Sequence, residues 1–323
     1  MKRKVTITFD RPETSFYFCD EILSGTIDFD SFHDLKIDKI KVTLVGEAAY
    51  TVGKTRTKFY HVPFLRRKLI MTPFPEQVSE DHYSWPFSIQ LPYTSPPTIN
   101  LIQSYPSIRY YLEVVVIKSW YKLAQRETKQ FIIIPHTTNV QYPTIVTNHN
   151  RKGVVLIGKV DKGEYFPGET IISTLKINNP KQVVIKHIDV ALVECLEVSH
   201  DISEHILSTI TLPNIVNRHD ESILDTFSIK IPSEIYLPPS YAYMFHVHGQ
   251  KIHIDITYRL KFLVKAEGVL TDFKAILPIT IGSNYHPTNN FTHQFFYAIE
   301  TEELPPQYES PPTYESLFQS DSF

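Results

Sequence analysis

Apolar and polar residues alternate along most of the chain with a period of two. Ile40, Val42 and Leu44 are interleaved with Lys39, Lys41 and Thr43, and Ile252, Ile254 and Ile256 with His253 and Asp255. Successive side chains of a β-strand point to opposite faces, so this pattern predicts strands with one face in a core and the other in water. Long runs of helical period are missing. The strand-like runs are short and separated by Pro, Gly and Asn clusters, which predicts antiparallel β-sandwiches.

The pattern also repeats. Tyr17, Phe18, Glu21 and Thr26 recur as Tyr165, Phe166, Glu169 and Thr174, an offset of 148. At the same offset Ile37, Ile40, Val42, Leu44 and Val45 match Ile185, Ile188, Val190, Leu192 and Val193, and Ile108, Tyr110, Leu112 and Val116 match Ile256, Tyr258, Leu260 and Val264. Between these blocks, Phe87–Pro92 matches Phe227–Pro232 at an offset of 140, so the first copy carries eight extra residues before that block. Alternation alone would align any two β domains, but Tyr-Phe-x-x-Glu is not periodic and argues for a true duplication. The expected organisation is one sandwich over 1–140, a joint at 141–150 within the polar stretch Pro135–Lys152, a second sandwich over 151–284 and a flexible tail over 285–323. The tail's apolar cluster, Phe291, Phe295, Phe296, Tyr297 and Ile299, reads as a last edge strand or as a segment that docks back on the body.

Composition narrows the class. At 323 residues, 42% apolar and 13% aromatic, the chain can fill two cores, and disorder throughout is excluded. Two cysteines, Cys19 and Cys195, cannot form a disulfide framework in a chain this long, which favours a reducing, cytoplasmic setting and leaves the sequon at Asn290 without meaning. Met1-Lys2-Arg3-Lys4 runs into the strand-like Val5–Asp10 and not into an apolar signal region. No segment reaches the ~18 apolar residues a spanning helix needs, and no lipid-anchor motif is present, so any membrane contact is expected to be peripheral. The net charge of −3 is unevenly divided: no Lys or Arg follows Lys274, while Glu300, Glu302, Glu303, Glu309, Glu315 and Asp321 all do. Removing these six from 35 acids leaves 29 against 32 bases, so the body is mildly basic and its tail acidic.

Candidate chemistry is sparse. His246, His248 and His253 invite a metal reading, since residues i and i+2 of a strand share a face, but no Cys or carboxylate pair completes a site and solvated strand histidines are expected. Cys195 lies in the strand pattern Val193–Leu196, where a small buried hydrophobe is expected in place of a nucleophile. Phosphate loops, nucleophile elbows and HExxH helices are all missing, so neither a catalytic residue, a metal nor a cofactor is assigned and the chain reads as no enzyme. Lys54, Arg56, Lys58, Arg66, Arg67 and Lys68 cluster among Phe59, Tyr60, Phe64 and Leu65. This pattern suits an anionic membrane surface or cargo, each cation contributing about 1 kcal/mol close to such a surface. Its simpler reading is a solvated hairpin with a basic outer face. Nucleic acid fits less well, because the overall charge is negative and no nucleic-acid module is recognisable.

The tail carries the most specific motif. Pro305-Pro306-Gln307-Tyr308 and Pro311-Pro312-Thr313-Tyr314 are two Pro-Pro-x-Tyr boxes separated by Glu309-Ser310. Adjacent prolines favour polyproline II, whose three-residue turn puts Pro305 and Tyr308, and Pro311 and Tyr314, on one edge. Such ridges suit the aromatic grooves of WW domains, with Leu317 placed to add an apolar contact beyond the second box. With 23 Pro and 19 Tyr in the chain, chance would place such a box about 0.1 times. Two boxes side by side are therefore a strong signal.

Two tandem sandwiches opening with Tyr17-Phe18-x-x-Glu21-x-x-x-Gly25 and Tyr165-Phe166-Pro167-Gly168-Glu169, the run of Ile40–Leu44 into Gly46-Glu47-Ala48, and a tail with paired Pro-Pro-x-Tyr boxes resemble the α-arrestins, the arrestin-domain-containing proteins. The resemblance covers essentially the whole chain. It implies an arrestin fold of immunoglobulin-like sandwiches and a cytoplasmic adaptor acting at plasma membrane and endosomes. In that role the tail would recruit a HECT-type ubiquitin ligase through WW domains while the body engages membrane receptors or transporters as cargo. Family function maps by residue onto Pro305, Pro306, Tyr308, Pro311, Pro312 and Tyr314. A non-catalytic sorting scaffold of the retromer arrestin-like type, without ligase recruitment, is the alternative. One departure is visible: Cys19-Asp20 stands where the second copy has Pro167-Gly168, which suggests a turn of different shape.

Overall fold

The computed structural model describes residues 5–11, 16–31, 35–53, 57–72, 77–78, 81–99, 104–118, 124–136, 138, 140–247 and 249–283. Its first sandwich is built from β1 (Val5–Phe9), β2 (Phe16–Phe18), β3 (Ile22–Ser31), β4 (Leu35–Val52), β5 (Lys58–Met71), β6 (Gln77–Val78), β7 (Asp81–Gln90), β8 (Ser107–Lys118) and β9 (Gln125–Ile134). A small sheet of order β1-β3-β7 packs against a larger one of order β2-β9-β8-β4-β5, with β6 paired to the start of β4. The second sandwich follows with β10 (Ile145–His149), β11 (Val155–Val160), β12 (Glu164–Tyr165), β13 (Thr170–Asn178), β14 (Ile185–Val198), β15 (Asp201–Thr211), β16 (Ser222–Lys230), β17 (Tyr241–Val247), β18 (Gln250–Ala266) and β19 (Phe273–Ile281). Its sheets run β10-β11-β13-β16 and β12-β19-β18-β14-β15, and β17 pairs with the first half of β18. Antiparallel pairing dominates, as the alternating pattern requires.

Inward positions are the predicted ones. Leu23, Ile27, Phe29, Val42, Leu44, Leu112 and Val114 are fully buried in the first sandwich, and Ile171, Leu175, Val190, Leu192, Leu260 and Phe262 in the second. Each such side chain contributes about 1.5–3 kcal/mol by leaving water.

Strand register demonstrates the duplication. Val42 faces Val114 as Val190 faces Phe262, and the parallel pair Tyr17 with Ile133 recurs as Tyr165 with Ile281, all at the 148 offset. Leu23 faces Ile89 as Ile171 faces Ile229, which reproduces the shift to 140. The non-periodic motif has a physical reason. Glu21 accepts from the Phe18 N–H at 2.8 Å and from Arg11 at 2.8 Å, while Arg11 lies over the Tyr17 ring at 4.9 Å. In the second copy Glu169 accepts from the Phe166 N–H at 2.9 Å and from Lys162 at 2.7 Å, and Lys162 covers Tyr165 at 4.9 Å. A carboxylate closing a turn, a cation on it and an aromatic ring under the cation form one clamp, made twice.

The turn inside that clamp has one shape in both copies, contrary to the expectation from Cys19-Asp20. Asp20 sits at φ 65° and Gly168 at φ 88°, and in each turn the glutamate N–H bonds the carbonyl three residues back. Aspartate is among the few non-glycine residues that tolerate the left-handed region, so it substitutes for the glycine. The stretch read as a joint also contributes structure: β10 pairs along β11, from Ile145 with Lys159 to His149 with Val155. Its polar sequence Ile-Val-Thr-Asn-His suits an edge strand with little to bury.

Candidate functional site

The basic cluster falls on the β4–β5 hairpin, at the edge of the first sandwich. Lys58, Arg66, Arg67 and Lys68 are exposed there; Lys54 and Arg56 lie outside the described residues. Strand alternation divides the set. Arg67 faces buried Leu44, on the core side, and its guanidinium crosses to the small sheet to donate to the Gln90 carbonyl at 2.8 Å. Lys58 shares the face of Tyr60, which stacks on Tyr50 at 5.3 Å. Arg66 and Lys68 point the other way, opposite Val45 and Thr43, onto the outer face of the large sheet. That face also holds acids. Burial pushes the Tyr111 hydroxyl up to about 12, helped by Glu47 and Glu113 and opposed by Arg66 and Arg126. The hairpin is therefore basic but partly neutralised across its outer face.

A β-bulge sets what else the hairpin does. Gly46 pairs with Leu65 and Glu47 with Pro63, leaving Phe64 as the extra residue. A bulge re-aims the side chain it carries. The Phe64 ring sits 5.7 Å from Tyr110 of its own sandwich and 6.1 and 5.2 Å from Tyr243 and Phe245 on β17 of the other. Gly46 makes room for it, since a Cβ there would lie 2.8 Å from the Tyr110 ring and 3.0 Å from Phe64. Beside this aromatic seam, the Thr51 N–H and hydroxyl both donate to Asp201 at 2.7 Å. The Tyr236 hydroxyl donates to the Thr98 carbonyl at 3.1 Å, and Ser283 to Pro135 at 3.0 Å. The core is continuous across the two sandwiches. At the hairpin tip the seam opens into a cleft of about 360 Å³ lined by Tyr50, Val52, Tyr60, Ser199, His200, Gln250, Lys251 and Ile252.

The second copy replaces the Gly46, Phe64 and Tyr110 group with chemistry that the sequence reading missed. Glu194 and Tyr258 stand at the positions of Gly46 and Tyr110, and His205 faces Glu194 across β14 and β15. His205 Nδ1 lies 3.1 Å from Glu194 Oε2. The Tyr258 hydroxyl lies 2.6 Å from the Pro238 carbonyl and 3.1 Å from Glu194 Oε1. The Tyr258 hydroxyl is thus shared between that carbonyl and the Glu194 carboxyl. Burial holds Glu194 above the ordinary carboxylate range, against the opposing pull of His205 and of the Tyr258 hydroxyl. The signal available in sequence was one acidic residue at an inward position of β14.

Neither cysteine is activated: burial pushes the thiols of Cys19 and Cys195 up, and Cys195 packs inside β14 as expected. Among the described residues no group of three His, Cys, Asp or Glu side chains could hold a metal ion. His246 and His253 lie on β17 and β18, and His248 lies outside the described residues. No described helix is long and apolar enough to cross a membrane. The tail residues Pro305, Pro306, Tyr308, Pro311, Pro312, Tyr314 and Leu317 are outside the described residues as well.

Residues 5–139 match the family model "Arrestin (or S-antigen), N-terminal domain", and residues 151–286 match its "C-terminal domain" counterpart. The chain belongs to the arrestin-domain family. Over 194 residues it is 27% identical to "Arrestin domain-containing protein A" of Dictyostelium discoideum, an alignment covering 51% of this chain and 33% of that protein. The chain thus spans about a third of that relative's length. Membership of the arrestin-domain family gives the two sandwiches and their seam a common frame and suggests an adaptor-like role. In this arrestin-domain protein the candidate interaction features among the described residues are the β4–β5 hairpin, the cleft at its tip and the aromatic seam behind it.

Proposed function

We propose that this arrestin-domain protein is a cytoplasmic trafficking adaptor working at plasma membrane and endosomes. Its body engages a membrane receptor or transporter, and its tail captures a WW-domain ubiquitin ligase of the HECT type, so that the cargo is ubiquitinated, internalised and sorted. Catalysis belongs to the ligase, and the adaptor needs no cofactor. The observation that carries this reading is the pair of Pro-Pro-x-Tyr boxes attached to a two-sandwich arrestin body. The hairpin supports the cargo side, because its tip carries Lys58 and exposed Phe59 next to a cleft lined from both sandwiches, and Arg66 and Lys68 lie further along its outer face. Anionic headgroups or an acidic cargo segment suit that combination.

Capture of a WW-domain ligase by the full chain, compared with the Tyr308→Ala plus Tyr314→Ala variant, tests the proposal. Loss of both ligase capture and cargo ubiquitination in the variant is expected. Unchanged cargo sorting after ligase capture has been lost would instead identify a scaffold that does not recruit the ligase.

A further inference from the structure

Within its four strands, the outer face of the sheet β10-β11-β13-β16 carries lysines and no acid. Strand register places Lys159 opposite Thr174, Lys176 opposite Leu224, and Lys230 opposite Thr170, all pointing away from the buried Ile171, Leu175 and Ile177. The three lysines are exposed, and among the described residues none makes an ion pair; the acids at the margin of this face are Asp161, just past β11, which accepts from the Ile172 N–H at 3.2 Å, and Glu234, which feels the charge of Lys230. Interspersed with them, Ile145, Ile172 and Leu224 are 52%, 48% and 72% exposed. A flat basic and aliphatic surface of this kind needs an acidic partner with apolar character.

We propose that this face binds the acidic segment Glu300–Glu315 of the same chain. Three observations carry the assignment. The first is charge: no Lys or Arg follows Lys274, while the tail holds six acidic side chains. The second is spacing. Glu303, Glu309 and Glu315 recur every six residues, two full turns of polyproline II, so they share an edge at intervals of about 19 Å. Lys176 and Lys230 are offset by six positions along β13, about 20 Å at the rise of a strand. Pro306 and Pro312 fall on the same edge as the glutamates, an apolar complement to the exposed Ile172 and Leu224. The third is reach. The Gly282 N–H bonds the Tyr165 carbonyl, so the tail leaves the body beside the end of the sheet that holds Lys230, and the sixteen residues 284–299 can extend about 50 Å. Tethering also raises the local concentration of the segment to the millimolar range, so individually weak ion pairs suffice. Both boxes lie within the docked segment. A consequence that rests on the proposed function is that docking and WW capture exclude each other.

Zero-length carbodiimide cross-linking of the full chain, read by peptide mass spectrometry, tests the docking without any WW domain. Lys162 with Glu169 and Lys261 with Glu204, 2.7 and 2.5 Å apart, serve as internal controls. Expected are links from Lys159, Lys176 or Lys230 to Glu303, Glu309 or Glu315, lost in the Lys159→Glu, Lys176→Glu, Lys230→Glu variant. They should also be lost at high salt, where exposed charges are screened. Adding Glu303→Lys, Glu309→Lys and Glu315→Lys to that variant should restore them with the partners exchanged. Control links without tail links, or tail links to Lys58 and Lys68, overturn the proposal. So does protection of the three lysines from acetylation by phosphatidylserine vesicles when tail links are absent, which would assign the face to lipid. Failure of WW binding with tail links intact would contradict the proposed function and leave the docking standing.

Discussion

Two tyrosines related by the duplication differ in one hydrogen bond. The Tyr165 hydroxyl donates to Asp161, whereas the buried Tyr17 hydroxyl finds no acceptor among the described residues. An unpaired buried hydroxyl costs about 1–3 kcal/mol, so Tyr17→Phe should leave stability unchanged or raise it, while Tyr165→Phe should lower it by about 1 kcal/mol. Urea unfolding of the two variants checks this. Glu194 makes a pH prediction. Its carboxyl is held above the ordinary range, first by burial, so the folded state binds that proton more tightly than the unfolded chain. The stability this contributes is complete below the unfolded value and is lost as pH rises through the folded one. Wild type should therefore fall in melting temperature relative to Glu194→Gln as pH is raised upward from the ordinary carboxylate range. A constant difference over that rise would remove the buried proton from the account. The sequence showed the recurring Tyr-Phe-x-x-Glu but not its reason, because the cation of each clamp, Arg11 or Lys162, precedes the motif by a separation that differs between the copies.

Strands were the most legible elements, since a half-buried strand must alternate, and the register followed from matching alternation and motif together. Two things at this scale were hidden. The Phe64 bulge lies in an aromatic and basic run whose Pro63, with Gly46 across from it, fits a plain edge strand as well as a slip of register. Edge strand β10 buries little and so shows no strong pattern. The bulge predicts that Phe64→Ala, which removes a ring shared by both sandwiches, costs about 2–4 kcal/mol and loosens the seam. Unfolding together with small-angle scattering would show both effects; a loss below ~1 kcal/mol with unchanged scattering would leave the ring without that role. The hairpin's charges make a second prediction. Arg66 and Lys68 share the outer face, so their reversal to Glu should weaken binding to phosphatidylserine vesicles more than reversal of Arg67, which is tied to Gln90. That binding should fall steeply with salt. Vesicle sedimentation across a salt series separates the cases, and salt-independent binding would oppose the electrostatic reading.

Across the whole molecule, the order of parts was legible before the fold was seen: two copies of one sandwich, then an acidic tail with two boxes. The lysine face of the second sandwich was not, because β11, β13 and β16 contribute one lysine each and strands adjacent in space are distant in sequence. The cleft and the aromatic seam were hidden for the same reason. The proposed adaptor joins these parts, body to cargo and tail to ligase. Equivalent positions of the two boxes are six residues apart, about 19 Å in polyproline II, close to the width of one small domain. One WW domain alternating between boxes gains at most about twofold, whereas two WW domains already packed together gain roughly 10²–10⁴ in avidity. Calorimetry of the full chain against single and tandem WW domains tests the central claim most directly. Binding that is weakened by either Tyr308→Ala or Tyr314→Ala and abolished by both is the predicted result; full affinity in the double variant would contradict it.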